Sequence, residues 1–430
     1  MDHPTLPVAV IGAGPVGLAA AANLHERNIP FVLFEVGDDV AASVTDWAHV
    51  QLFSPWKFNI DPAARRLLET TGWIAPERDE HPTGGELIDR YLAPLGLLPE
   101  IAAHLRTNRL VTSVTRAGFD KVRTPGRDEA PFVVTTDGPH GLERTLASAV
   151  IDASGTWTAP NPLGADGTPA PGERGAQDRL DTGIPDVVGR DRLRYARRRV
   201  AVVGSGHSAQ NVVRDLAVLA RRYDGTEITW VLRRAAAGQM FGGGTVDQLP
   251  ERGRLGAEAR AAVDAGLVRL ETGFRVTQVE TGDRGVLLHA EDGRALGPFD
   301  RIVAATGFRP DLTALRELRI DVDPALECAR ALAPLIDPNV HSCGSVPPHG
   351  AAELAHPETG AYVVGVKSYG RAPTFLLATG YEQVRSVVAA LAGDHEAAAD
   401  VRLVLPETGV CSLDRTPVGA LVADGGSCCA

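Results

Sequence analysis

The chain has 430 residues, of which 44% are hydrophobic and 23% are charged, and its formal net charge is −11. This length exceeds one ordinary hydrophobic core and predicts roughly two to three domains of a soluble protein. The acidic balance argues against nucleic acid or an anionic membrane surface as a partner. No apolar run of about 18 residues occurs, which disfavours a membrane-spanning helix. The first predicted strand starts so early that we expect no secretory signal.

A glycine-rich motif follows the first predicted strand and precedes a predicted helix. Gly12 permits the tight turn, Gly14 lets a pyrophosphate contact the backbone, and Gly17 lets the helix pack closely on the strand. The next predicted strand, residues 31–35, ends in Glu35. A carboxylate at that position accepts hydrogen bonds from free ribose hydroxyls and repels a 2′-phosphate. The motif therefore predicts a dinucleotide whose adenosine ribose is not phosphorylated.

Loop, helix and strand patterns alternate in the next part of the chain. Residues 47–62 are rich in aromatic residues and proline and have no clean period, which predicts an ordered loop. This loop either packs locally or covers a flat cofactor ring. A helix is predicted over residues 84–98, and strands are predicted over 110–114, 132–136 and 149–155.

A second glycine-rich motif lies after residues 161–198, a segment rich in glycine, proline, aspartate and arginine that predicts a domain boundary. The motif contains Gly204 and Gly206 between a predicted strand and a predicted helix. The following strand ends in Arg233 and Arg234, and arginine at this position binds a ribose 2′-phosphate. The two motifs together predict FAD at the first site and NADPH at the second.

The last third of the chain is predicted to return to the first nucleotide domain. A strand over residues 301–307 makes the return, and a strand over 361–365 and an amphipathic helix over 374–391 follow. Residues 393–430 form a loosely composed tail that carries three of the five cysteines. An odd number of cysteines crowded near one end is not a disulfide framework, so we expect a reducing, cytoplasmic location.

These elements predict an α/β protein with two Rossmann-type dinucleotide-binding domains, the NADPH domain being inserted in the FAD domain. The predicted division is 1–160 for the first part of the FAD domain, 161–198 for a linker, 199–300 for the NADPH domain, 301–392 for the second part of the FAD domain and 393–430 for the tail.

The order of the motifs resembles that of the flavoproteins with two dinucleotide-binding domains. Within that group, the string over residues 306–311 is most similar to the flavin-containing monooxygenases. The resemblance implies that this string and residues 153–155 mark the two crossovers between the domains. It also implies that Gly365 lies near the flavin and that the helix starting near Thr374 points its N-terminus at the N1–O2 edge of the ring. A helix dipole stabilises the negative charge that gathers there on reduction.

The flavin itself carries the chemistry in such enzymes, so no catalytic side chain is assigned. Lys367 is the one candidate, because a cation near a reduced flavin would be useful; a solvated lysine is the alternative. The residues expected to bind the cofactors are Gly12, Gly14, Pro15, Gly17, Glu35, Val111, Ala153, Gly155, Gly204, Gly206, His207, Ser208, Arg233, Arg234, Thr306, Gly307, Gly365 and Thr374.

The chain departs from its resemblances at two places. Flavin-containing monooxygenases carry a histidine-containing string before the second motif, and residues 163–200 contain no histidine. The chain therefore lacks one sequence feature of the oxygen-transferring enzymes. The residues expected for flavin reduction by NADPH are present. Thioredoxin-reductase-like and glutathione-reductase-like proteins need a C-x-x-C or C-x-x-x-x-C pair, and neither pair occurs here. A dithiol relay from the flavin to a thiol substrate therefore lacks its residues.

The tail is a candidate site for a soft metal or metalloid. Residues 335–344 and 367–374 resemble actinobacterial flavoproteins, some of which are associated with arsenic-resistance operons. The vicinal Cys428 and Cys429 resemble the C-terminal pair of mercuric reductases, and Cys411 precedes them. Thiolates bind soft acceptors such as trivalent arsenic. The alternative is a tail with incidental cysteines.

We therefore expect an FAD-dependent, NADPH-using monooxygenase that oxidises a soft nucleophile, namely a sulfur, nitrogen or trivalent arsenic compound. One alternative is an NADPH-dependent flavin reductase that passes electrons to a metal, a quinone or a protein. Another is a thiol-based flavoprotein that binds or senses metalloids. The expected partner is a small-molecule substrate, without nucleic acid or membrane, and a homodimer is left open.

Overall fold

The computed structural model describes residues 6–235, 238–242, 247, 249–340, 346–372 and 375–403. Its strands in chain order are β1 (Val8–Ile11), β2 (Phe31–Phe34), β3 (Leu105–Arg106), β4 (Leu110–Arg116), β5 (Phe132–Gly138), β6 (Gly141–Ala147), β7 (Ala149–Asp152), β8 (Leu180–Thr182), β9 (Arg199–Val203), β10 (Glu227–Val231), β11 (Val268–Glu271), β12 (Val276–Gly282), β13 (Gly285–Ala290), β14 (Ala295–Phe299), β15 (Arg301–Ala304) and β16 (Ala361–Val363).

The helices of the same residues are α1 (Pro15–Glu26), α2 (Ala42–Thr45), α3 (Pro62–Glu69), α4 (Gly84–Leu87), α5 (Ala93–Gly96), α6 (Pro99–Ala102), α7 (Arg192–Tyr195), α8 (His207–Arg222), α9 (Pro250–Asp264), α10 (Ala333–Ile336), α11 (Leu377–Leu391) and α12 (His395–Ala399). Short 3-10 helices lie at Trp56–Phe58, Glu173–Arg179, Gly238–Phe241, Thr313–Leu315 and Gly365–Tyr369. The helix predicted over residues 84–98 is interrupted by a π-helical turn at Ile88–Leu92.

The first sheet has five strands in the order β16-β7-β1-β2-β3, and each neighbouring pair is parallel. All four residues of β1 are buried, as expected for a parallel strand that is covered on both faces. Strands β2 and β3 lie on one side of β1, and β7 and β16 lie on the other. Ligands of such sheets bind at the carboxyl ends of the strands where this order reverses. The first glycine-rich motif follows β1 and lies at that point.

The second sheet repeats the arrangement with the order β11-β10-β9-β15-β8, again with parallel pairs. Its strand order reverses between β9 and β15, where the second glycine-rich motif follows β9. All five strands lie in the sequence between β7 and β16, so this unit is an insertion in the first. The predicted fold class is confirmed.

One predicted assignment is wrong. The strand after residue 300 was expected to return the chain to the first domain, but Arg301–Ala304 pairs with β9 and β8 in the second sheet. An apolar strand that runs into an Ala-Thr-Gly turn has the same sequence pattern whether it belongs to the first or to the second sheet. The sequence therefore does not show which sheet this strand joins. Residues 161–198, predicted as a linker, contain β8, and Leu163, Ala170 and Ala176 are buried in the core beside this sheet. The chain's division into domains otherwise stays a prediction.

Two antiparallel three-stranded sheets, β4-β5-β6 and β12-β13-β14, accompany the parallel ones. A buried ion cluster ties β4 to the segment before β16. Arg116 donates to Glu358 at 2.8 Å and Arg127 donates to its other oxygen at 2.9 Å. Burial opposes ionisation of Glu358, but the two arginines hold the pKa of that carboxyl below its usual range. Removing one partner of such a pair typically costs about 3–5 kcal/mol.

Helix α1 lies in the centre of the first domain. It is buried from Val16 to Leu24 and packs on α11. A run of alanines, Ala19–Ala22, allows this close approach because the side chains are short. In the described part of the chain, no helix combines the length and the apolar character needed to cross a membrane.

Candidate active site

The turn after β1 forms a cradle at the start of α1. Gly12 has φ of +93°, and a Cβ there would lie 2.8 Å from the Cα of Ser154, so the turn itself requires glycine. A Cβ at Gly17 would collide with the carbonyl oxygen of Gly12. Around Gly14, by contrast, an added Cβ would meet nothing within 4 Å. Pro15 begins α1, which has no side-chain cap. This open, uncapped helix start fits a pyrophosphate against backbone N–H groups.

Glu35 follows β2 at the edge of this cradle. One of its carboxylate oxygens accepts from the backbone N–H of Ala13 at 2.7 Å, and the other accepts from that of Gly37 at 2.9 Å. Each oxygen retains a lone pair, so the held carboxylate fits ribose hydroxyls. Val111 of β4 is buried in the same apolar cluster as Ile11, the last residue of β1.

The N-termini of α1 and α11 lie next to each other. Gly365, just after β16, has φ of +71°, and a Cβ there would lie 3.3 Å from the side chain of Val16 in α1. A Cβ at Gly380, in the first turns of α11, would lie 2.7 Å from the same valine. Helix α11 also has no side-chain cap, so two positive helix ends converge on one region. Thr374, expected at this helix start, lies outside the described residues, and the helix begins at Leu377.

Lys367 is buried beside the end of β7, with 5% of its surface exposed. Its ammonium donates to Asp152 at 2.7 Å and to the Ser154 hydroxyl at 3.0 Å. The solvated-lysine alternative is therefore wrong. Ala153 is joined to the end of β1 by a backbone hydrogen bond of 2.9 Å, and Gly155 turns the chain away with φ of +72°. The crossover string thus lies between the first cradle and the lysine.

The second motif has the same construction as the first. A Cβ at Gly204 would collide with the carbonyl oxygen of Ala305, whereas a Cβ at Gly206 would meet nothing within 4 Å. Gly206 precedes α8, which has no side-chain cap, and Ser208 lies in the first turn of that helix. The open space at Gly206 fits a second pyrophosphate.

His207 joins the second motif to the aromatic loop of the first domain. Its ring centroid lies 5.2 Å from that of Phe53, and Arg254 of α9 donates to Gln51 at 3.2 Å. Burial and the nearby charge of Arg252 lower the pKa of His207 to about 4. A neutral imidazole avoids repulsion by the positive end of α8. The loop over residues 47–62 therefore reaches across to the second nucleotide motif instead of packing only locally.

Positive charge accumulates at the carboxyl end of β10. Arg233 follows that strand and donates to the backbone oxygen of Ala165 at 3.3 Å. Burial first, and then the charges of Arg275 and Arg234, lower the pKa of the Arg233 guanidinium. Guanidinium groups that oppose one another in this way are stabilised by a shared anion, and a ribose 2′-phosphate fits this requirement.

The two crossovers between the domains are joined by hydrogen bonds. The backbone N–H of Asn161 donates to the oxygen of Gly307 at 2.9 Å, and its side-chain amide donates to the oxygen of Thr306 at 3.2 Å. The Thr306 hydroxyl donates back to the Asn161 oxygen at 2.6 Å. Arg309 adds a hydrogen bond to the Asn161 side chain at 2.8 Å. These residues fasten one crossover to the other.

An aromatic pair lies at the same place and was not predicted from the sequence. Trp157 stacks on Phe308 with a ring-centroid distance of 4.8 Å. The indole N–H of Trp157 donates to Asp46 of the first domain at 2.7 Å. Trp157 lies two residues after the crossover string at 153–155, and Phe308 lies within the string at 306–311; these positions were the signal that could have indicated their proximity.

Cys328 is the cysteine within the described residues, and it is buried. Burial, followed by the charge of Asp323, raises the pKa of its thiol to about 12, which leaves it unreactive as a nucleophile. The predicted soft-metal ligands Cys411, Cys428 and Cys429 lie outside the described residues.

Comparison with protein families matches residues 9–329 to the family described as pyridine nucleotide-disulphide oxidoreductase. Among curated proteins, the chain is 58% identical over 33 residues to a probable indole-3-pyruvate monooxygenase of Arabidopsis thaliana. That match spans 8% of this chain and 8% of the plant protein, so the similarity is limited to a short segment and does not extend to the whole protein.

Solved structures resemble the chain over nearly its whole length. The bacillithiol disulfide reductase of Bacillus cereus has a TM-score of 0.66 at 18% identity, covering 90% of this chain and 99% of its own. The FAD-bound cadaverine monooxygenase of Erwinia amylovora has a TM-score of 0.64 at 15% identity, covering 96% and 100%. Identities this low establish a shared fold, which a disulfide reductase and a monooxygenase have in common.

Proposed function

Because this chain belongs to the pyridine nucleotide-disulphide oxidoreductase family, we propose that it is a flavin monooxygenase that oxidises a soft nucleophile. It is an oxidoreductase that depends on FAD and NADPH. The substrate in this proposal is a compound of sulfur, nitrogen or trivalent arsenic. The proposal concerns where the electrons go after the flavin is reduced, since members of this fold transfer them either to oxygen or to a second acceptor.

The cysteine pattern carries the proposal. A disulfide reductase of this fold needs a reactive thiol pair to exchange with its substrate. The sequence contains neither a C-x-x-C nor a C-x-x-x-x-C pair. Cys328 lies in the core and its thiol is protonated at neutral pH, because burial raises its pKa to about 12. Dioxygen is then the acceptor that a reduced flavin meets without help from a thiol relay.

The residues of the two cradles have separate duties in this reaction. Gly14 and the start of α1 would hold the pyrophosphate of FAD, and Glu35 would hold its ribose. Gly206 and the start of α8 would hold the pyrophosphate of NADPH, while Arg233 and Arg234 would bind the 2′-phosphate. When bound, the flavin supplies hydride acceptance from the nicotinamide and reaction with dioxygen.

Two helix starts and one ion pair lie beside the cradle that would hold FAD. The start of α11 lies beside the start of α1, so the positive ends of both helices favour negative charge at the first cradle. Lys367 is held by Asp152 at 2.7 Å, so its ammonium is a fixed, paired charge and not a free base. We therefore assign Lys367 to holding the turn after β16, and not to proton transfer. The aromatic loop, through Phe53, covers the second motif from the opposite domain.

The proposal is tested by a substrate screen in air and under argon. The FAD-loaded protein is mixed with NADPH and with methylarsenite, a thioether or an amine. We expect one compound to accelerate NADPH oxidation and to yield an oxygenated product only in air. Equal turnover of an acceptor under argon would overturn oxygenation in favour of electron transfer. Tight binding of the arsenical without any NADPH oxidation would favour a metalloid-binding protein instead.

A further inference from the structure

A buried polar network, separate from the hydrogen bonds of Lys367, holds the turn after β16. It consists of Gly365, Ser368, Gln383 and His349, and each of the three side chains is no more than 2% exposed. These residues come from the turn itself, from α11 and from the segment after residue 346. Buried polar groups lose free energy unless each donor and acceptor is paired, so the pairing shows what the network requires.

The hydrogen-bond geometry fixes the direction of every bond. The backbone N–H of Gly365 donates to Oε1 of Gln383 at 2.8 Å, which identifies that atom as the oxygen. Its Nε2 therefore donates, to the Ser368 hydroxyl at 2.9 Å and to Nε2 of His349 at 3.1 Å. The Ser368 hydroxyl donates to the Gly365 oxygen at 2.7 Å, which is shorter than its 3.3 Å distance to Oε1 of Gln383. The Gln383 amide is thus fully paired.

The same reasoning assigns the tautomer of His349. Since Gln383 donates to its Nε2, that nitrogen accepts and the proton lies on Nδ1. Nδ1 then donates to the oxygen of Pro347 at 3.0 Å. Burial lowers the pKa of His349, in agreement with a neutral ring. A donor at Nε2 would face the Gln383 amide N–H, so the network requires an acceptor at this position.

The turn that this network holds touches the FAD cradle. A Cβ added at Gly365 would lie 3.3 Å from the side chain of Val16 in the first turn of α1, and one added at Gly380 in α11 would lie 3.5 Å from the Cα of Gly365, so the three residues are close neighbours. Strand β16 is parallel to β7, so its carboxyl end lies on the same edge of the sheet as the first glycine-rich motif. A rotation of Gly365 would displace the contact between the two uncapped helix starts.

We infer that Gln383 and His349 are positioning residues for bound FAD, which act by holding the Gly365 turn between the starts of α1 and α11. The inference rests on the FAD site and not on the oxygenation proposed above. His349 supplies the acceptor that aligns Gln383, and Gln383 supplies the acceptor that aligns Gly365. Neither side chain needs to touch the cofactor.

The test measures the FAD dissociation constant and the visible spectrum of bound FAD, neither of which involves oxygen or substrate. His349→Leu and Gln383→Leu each remove one buried partner and should raise the constant about tenfold and shift the flavin bands. His349→Gln places an amide oxygen where Nε2 was and should restore both readouts. Ser386→Ala is the matched control: this buried serine of α11 donates to Ala398 and accepts from Ala351, outside the network.

A lower unfolding midpoint with an unchanged FAD constant and spectrum in both leucine variants would overturn the inference and leave a structural role only. Failure of His349→Gln to restore the readouts would overturn the role assigned to the Nε2 acceptor. If the leucine variants do not fold, Gln383→Glu carries the test. It keeps an acceptor for Gly365 but has no N–H for Ser368 or His349, so wild-type FAD binding and spectrum in this variant would equally overturn the inference.

Discussion

Gly14→Ala separates folding from cofactor binding more sharply than other single changes at the site. The backbone of Gly14 has φ of −77° and ψ of −172°, which alanine adopts without strain. The added methyl would meet no protein atom within 4 Å. We assign that open space to the pyrophosphate of FAD, so the methyl should collide with the cofactor alone.

The two effects of this substitution have opposite signs. Replacing glycine by alanine at a compatible position stabilises the folded protein by about 0.4–1 kcal/mol, because it restricts the unfolded chain. Loss of one charge-assisted hydrogen bond to phosphate costs about 1.5–3 kcal/mol. That cost corresponds to a rise in the FAD dissociation constant of about 10-fold to 150-fold. The apo protein should therefore be slightly more stable and bind FAD much more weakly.

Thermal unfolding of the apo protein and titration of FAD by flavin fluorescence check both parts. Gly12→Ala is the contrasting variant, because its φ of +93° and its contact with Ser154 should impair folding itself. Gly206→Ala is the matched variant of the second cradle and should weaken NADPH binding while FAD is retained. If Gly14→Ala folds normally and binds FAD like the wild type, the pyrophosphate does not lie over Gly14 and the site is misassigned.

Three further predictions concern the second cofactor, pH and the tail. Replacing Arg233 and Arg234 with alanine should raise the KM for NADPH about tenfold or more and leave that for NADH nearly unchanged, since each arginine binds only the 2′-phosphate; equal effects on both nucleotides in steady-state kinetics would contradict this. Burial raises the pKa of Asp61 from 3.8 to about 7, so the folded state holds this proton more tightly, and stability should fall as pH rises through that interval. Asp61→Asn should abolish that fall in unfolding midpoints; a persistent fall would implicate other groups. Truncation before Gly425 should preserve FAD content and flavin reduction but weaken the binding of trivalent arsenicals, which calorimetry measures. Binding equal to that of the full chain would show that the tail does not hold the arsenical.

The nucleotide cradles could be predicted from the sequence because their determinants are local. A strand, a glycine turn and a helix follow one another within a few residues, and the residue that selects the ribose lies at the end of the next strand. Glu35 accordingly lies beside the first turn, and Arg233 lies at the end of β10. The fold class follows from the repetition of this unit. The membership of β15 was missed because an apolar strand carries no information about which sheet it joins.

The contacts that complete the site were not predicted, because they form between residues that are distant in the sequence. Phe53 meets His207 and Trp157 meets Phe308 only after both domains have formed. Lys367 meets Asp152 only after β16 has paired with β7 in the first sheet. Lysine near the flavin was a reasonable candidate from its position, but its buried carboxylate partner has no sequence pattern. Such pairs become visible only when the fold brings their strands or turns to the same edge.

Labelled dioxygen distinguishes oxygen transfer to the substrate from electron transfer to another acceptor. The FAD-loaded protein is incubated with NADPH, the substrate selected by the screen and isotopically labelled dioxygen, and the product is examined by mass spectrometry. If the protein is a monooxygenase, the product gains one labelled oxygen atom for each NADPH oxidised. A product without label, or substrate conversion that continues when dioxygen is removed, would contradict oxygen transfer.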